Sequence, residues 1–115
     1  LAADRAGDFV LCSRPFTADY LEEDPVSLVR IGDALRPGEQ HGEWIGLAKL
    51  TARGARLVRA ELAAMRADGS LARADLPDLF ARLLAKGEPV AVAYISGHWL
   101  DVNDTFDLAT ARNFL

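Results

Sequence analysis

At 115 residues, half of them hydrophobic and 26% charged, the chain is long enough for one domain with a modest core. It carries 17 acidic against 13 basic side chains, a net charge of −4, which argues against nucleic acid as a partner. No apolar run reaches the ~20 residues of a membrane span, and the opening Leu1-Ala2-Ala3-Asp4-Arg5-Ala6-Gly7 lacks the apolar stretch of a signal peptide. A cytoplasmic protein with no membrane partner is therefore expected.

In chain order, Asp8 to Ser13 reads as a short buried strand. Arg14 to Pro25, with two prolines and the acidic run Glu22-Glu23-Asp24, reads as a loop. Val26 to Ile31 is a second strand, followed by Gly32 and the turn-forming Arg36-Pro37-Gly38. Glu43 to Leu50 suits a third buried strand in which Gly46 permits close backbone approach. Thr51 caps a helix whose apolar positions Ala55, Val58, Leu62 and Met65 step by three and four, and Gly69 stops it. The arginines Arg53, Arg56, Arg59 and Arg66 recur along this helix. Glu61 and Asp68 interrupt them, so they read as a solvated face.

Asp75 caps the next helix, Pro77 is tolerated in its first turn, and Leu76, Leu79, Phe80, Leu83 and Leu84 form one apolar face up to Gly87. Pro89 to Ile95 is nearly continuous in apolar residues, which predicts a strand buried on both faces. A last helix follows over Thr105 to Leu115, with Asp104 as its cap. This order predicts an α/β fold with a mixed sheet and flanking helices, one domain over residues 1–115.

The lone Cys12 sits in an apolar run and reads as a small buried hydrophobe. His41 and His98 are far apart and form no ligand pair. Asp101 leaves a buried strand just before a helix, where open α/β sheets place their ligands. The alternative is that it caps the helix or accepts from a backbone amide. Trp99 is either a wall of the core or a substrate contact, and Trp44 either packs or presents a cation–π face. Glu43 and Lys49 lie six residues apart, so a regular strand would point both to one face, where Lys49 could meet an anion. Arg14 is a further candidate anion contact.

Two segments carry a resemblance. Trp99-Leu100-Asp101-Val102-Asn103, followed by Asp107-Leu108 and Ala111, resembles the C-terminal metal-site motif of the sugar-nucleotide pyrophosphorylase-like nucleotidyltransferases. Gly42-Glu43-Trp44-Ile45-Gly46-Leu47-Ala48-Lys49-Leu50-Thr51 resembles the central strand of their cytidylyltransferase branch, in particular the domain fused to phosphoenolpyruvate phosphomutase in phosphonate biosynthesis. The resemblance implies the C-terminal portion of a Rossmann-like, GT-A-like nucleotidyltransferase fold. It implies transfer of a nucleotidyl group, cytidylyl from CTP, to a small phosphonate or phosphate acceptor, with pyrophosphate released. Asp101 would be the catalytic carboxylate and would hold Mg²⁺, and Glu43, Trp44, Lys49 and Trp99 would line the substrate site.

The family's phosphate-cradling glycine loop has only an echo in Leu1-Ala2-Ala3-Asp4, where Asp4 stands in place of the first glycine. The chain is therefore expected to lack the nucleotide-binding half, to have little activity alone, and to form a homodimer through a sheet edge left open. The alternative expectation is a non-catalytic half-domain serving as an interaction or regulatory module.

Overall fold

The computed structural model describes residues 8–96. Trp99, Asp101 and the helix expected over Thr105 to Leu115 lie outside them. The described residues form a small mixed α/β domain, with a three-stranded antiparallel sheet and two helices.

Strand β1, Phe9–Cys12, is central, with β2, Leu28–Ile31, on one side and β3, Gly42–Glu43, on the other. Every pairing is antiparallel: Val10 opposes Ile31, Cys12 opposes Leu28, and Phe9 opposes Glu43. The mixed sheet expected from the sequence is thus not formed among the described residues. The three strands follow one another with only the single 3-10 turn Pro37–Glu39 among them, and antiparallel strands, unlike parallel ones, need no helical crossover. Burial alternates along β1, with Val10 and Cys12 inward and Phe9 and Leu11 half-buried.

Two expected strands are much shorter than their apolar runs. The stretch predicted over Glu43 to Leu50 leaves the sheet after Glu43. There the Trp44 indole donates to the Leu47 carbonyl at 2.7 Å, and Gly46 takes φ +91°. A bend of that hand needs a residue without a Cβ. The run from Pro89 to Ile95 forms a single bridge, Ala91 opposite Ser27. It is flanked by hydrogen bonds from Leu28 N–H to Val90 O at 2.8 Å and from Val92 N–H to Val26 O at 2.9 Å. Its burial alternates, with Val90, Val92 and Tyr94 turned toward the core and Ala91, Ala93 and Ile95 exposed. Burial on both faces is therefore overturned. The outward positions are mostly alanines, apolar by class but small enough to leave in water.

Helix α1, Ala52–Asp68, begins where Thr51 Oγ1 accepts from Gly54 N–H at 2.9 Å and ends at Gly69, φ +83°. Helix α2, Leu76–Ala85, opens on a reciprocal cap in which Asp75 and Asp78 each accept the other's backbone N–H, at 3.1 and 3.0 Å. Helix α2 packs on β2 and α1 packs on α2, around one core of Val10, Cys12, Val26, Leu28, Met65, Leu79, Phe80 and Leu83. Burying a side chain of that size stabilises the fold by roughly 1.5–3 kcal/mol.

The inward stripe of α1 differs from the expected one. Leu57, Val58, Glu61 and Met65 face the core region, whereas Leu62 is 38% exposed. On α2, Leu76 is likewise exposed, and Pro77 takes a buried place.

Candidate functional site

Of the residues assigned to the substrate and metal site, Glu43, Trp44 and Lys49 fall among the described ones. Glu43 ends β3 at the sheet edge, half-buried. Trp44 donates its backbone N–H to Asp8 O at 2.8 Å, and its ring meets Phe80 edge-on with centroids 5.2 Å apart. That contact packs Trp44 against the α2 side of the core. Lys49 is exposed and, among the described residues, has no ion pair. Because the chain bends at Gly46, a shared strand face no longer relates Glu43 to Lys49. Trp99 and Asp101 have no described position. The rule that locates ligands at the carboxyl ends of parallel strands also finds no parallel pair among the described residues.

What surrounds β3 is better defined. Gly42 lies under the Tyr94 ring, and a Cβ on Gly42 would meet Tyr94 Cε1 at 3.6 Å and Val10 Cγ2 at 3.7 Å. Tyr94 donates its hydroxyl proton to Arg14 O at 2.7 Å, and its backbone N–H goes to the Tyr20 hydroxyl at 3.0 Å. Phe16, Tyr20 and Tyr94 stack with centroids 5.3–5.9 Å apart. The strand that opens one resemblance-bearing segment thus lies beside the stretch that leads toward the other.

Cys12 and His41 sit beneath this layer. Cys12 N–H donates to His41 Nδ1 at 3.2 Å. Burial pushes the thiol's pKa up, partly opposed by the adjacent Tyr94 hydroxyl, so the sulfur stays protonated and non-nucleophilic. Desolvation likewise raises the Tyr94 phenol, with the Cys12 contact adding to it. Arg14, the further candidate, pairs with Asp24 at 3.4 Å and ties the loop.

The most charged cluster was not found from the sequence. Glu61, only 2% exposed, accepts from Arg82 Nε at 2.6 Å and from Lys86 Nζ. Arg82 also donates to Asp68 at 3.0 Å, and Asp68 accepts from Ser70 N–H at 2.9 Å. The Lys86 and Arg82 hydrogen bonds lower the pKa of Glu61. Those from Ser70 and Arg82 take Asp68 down to about 2. These bonds tie α1 to α2.

Among the described residues, no three His, Cys, Asp or Glu side chains gather where a metal could be held. Mg²⁺ commonly takes only one or two carboxylates, with phosphate and water completing its shell, so this donor set does not oppose it. Two shallow depressions exist. One of about 410 Å³ lies between β2 and α2, lined by Val29, Ile31, Leu35 and Leu84 with Arg30 beside them. The other, about 570 Å³, lies on the outer side of α1 between Leu62, Arg66 and Leu71. No described helix is long and apolar enough to cross a membrane.

Comparison of the chain with protein-family models, with curated proteins and with solved structures finds no match.

Proposed function

We propose that this chain is the C-terminal part of a Rossmann-like nucleotidyltransferase domain, a cytidylyltransferase acting on a small phosphonate or phosphate. The observation that carries the reading is the pair of family-like segments, Gly42 to Thr51 and Trp99 to Asn103. The place of Gly42 beside the Tyr94 ring, five residues before Trp99, supports it by bringing the first segment near the stretch that leads to the second.

In such a reaction an acceptor oxygen attacks the α-phosphorus of CTP in line. The bond from that phosphorus to the bridging oxygen breaks, and pyrophosphate leaves with the electron pair. The protein's part is positioning and charge neutralisation. Mg²⁺, when bound, draws charge from the non-bridging phosphate oxygens, and Asp101 is the carboxylate assigned to hold it. Lys49, exposed and without an ion pair among the described residues, is suited to an anionic acceptor. Glu43, Trp44 and Trp99 are assigned to the walls of the substrate site.

The test is Mg²⁺-dependent binding of CTP by calorimetry, with pyrophosphate release measured in the presence of 2-hydroxyethylphosphonate. Binding is expected when the chain is joined to the nucleotide-binding half of a cytidylyltransferase, and there it is lost in Asp101→Asn, with the melting temperature nearly unchanged. Binding that survives Asp101→Asn while stability falls would make Asp101 a structural acceptor. Absence of CTP binding in that joined form would sink the reading. It would leave the non-catalytic interaction module, which the exposed Leu47, Leu50 and Leu76 favour.

A further inference from the structure

Helix α1 has only two carboxylates, Glu61 and Asp68, seven residues apart and so on one face. Both turn toward α2, where Arg82 and Lys86 engage them. The opposite face therefore holds no acid. Arg59 and Arg66, also seven apart, lie about 10 Å from each other along the axis, with Arg56 one turn earlier. All three are exposed and, among the described residues, none has an ion pair. Leu62 and Leu71, 38% and 39% exposed, border the open groove of about 570 Å³ beside Arg66. Arginines with apolar anchors between them suit carboxylates carried on an apolar segment, because guanidinium groups bind carboxylates in a fork while the leucines offer burial.

The chain itself carries such a segment. In the loop after β1, Asp24 is held by Arg14 and by Leu21 N–H, and Asp19 accepts from Thr17. Glu22 and Glu23 are exposed and have no ion pair among the described residues, and Leu21 beside them is 55% exposed. No ion pair joins this loop to α1 within the described residues.

We infer that the arginine face of α1 is a docking site for the acidic loop Leu21-Glu22-Glu23 of a second copy of this chain. The contact joins two different patches, so it is head-to-tail. It closes into a pair where a twofold axis brings both contacts together, and it propagates otherwise. A nucleic acid is the poorer occupant, since its phosphates have no use for Leu62 and Leu71 and the protein is net negative.

Sedimentation velocity of the 115-residue chain tests this, at about 50 mM and about 500 mM salt. Wild type is expected to self-associate at low salt and to dissociate at high salt. Arg59→Glu with Arg66→Glu, and separately Glu22→Lys with Glu23→Lys, should each stay monomeric while keeping the parent's circular dichroism and melting temperature. An equimolar mixture of the two variants restores association at least tenfold over either alone, because each retains the patch that the other has lost. A wild type that stays monomeric overturns the inference. So does association that both reversals leave intact, and so does a mixture that fails to restore it.

Discussion

Glu61 shows what one buried carboxylate does here. With Arg82 and Lys86 on its two oxygens, its charge is neutralised where water is excluded, and α1 is held at one rotation against α2. Asp68 extends the same lattice, and its hydrogen bonds to Ser70 and Arg82 take its carboxyl down to about 2. A depressed carboxylate stabilises the fold above its unfolded value and loses that contribution as pH falls through its folded value. Between pH 3.8 and about 2 the unfolded chain holds the Asp68 proton and the folded chain does not, so stability rises with pH across that window. Asp68→Asn is therefore expected to flatten the dependence of melting temperature on pH there, measured by thermal denaturation from pH 2 to 5. An unchanged slope would show that the Ser70 and Arg82 contacts do not hold the charge in solution.

The helices and strands differ in how much of them could be read in advance. Thr51, Gly69, Asp75 and Gly87 mark their helix ends as expected, because capping is chemistry between a residue and its neighbours within one turn. Asp75 is the stronger case, since its loss removes an acceptor and leaves the Asp78 N–H without its partner. Asp75→Ala should cost about 0.5–2 kcal/mol in a urea titration, with the slope unchanged. Leu57 and Glu61 were missed on α1 because the partners that orient the helix, Arg82 and Lys86, lie 21 and 25 residues further along the chain. The run from Trp44 to Leu50 was misread as strand because apolar letters alone do not reveal that the indole N–H will find Leu47 O, or that Gly46 will bend the chain.

At the scale of the whole molecule, the α/β class and the first two strands were legible from periodicity. The antiparallel order β2-β1-β3 was not, since pairing is settled by contacts between segments far apart in the sequence. Of the candidate site, the sequence offered residue types at suggestive spacings. Folding places Trp44 on Phe80 and leaves Lys49 in solvent, and nothing local to either residue specified that.

The Tyr94 clasp also bears on time. Its bonds to Tyr20 and Arg14 close loops of 74 and 80 residues, the longest separations among the side-chain hydrogen bonds described. Closing a long loop is entropically costly before any contact repays it, so such a link forms after the helices and the nearer strand pairs. Stopped-flow chevrons of Tyr94→Phe, which deletes only the hydroxyl, should show unfolding roughly 2- to 10-fold faster with refolding hardly altered. A slower refolding limb would mean that the clasp belongs to the nucleus. With the clasp formed last, this small domain owes its kinetic lifetime, more than its speed of assembly, to one phenol reaching back across most of the chain.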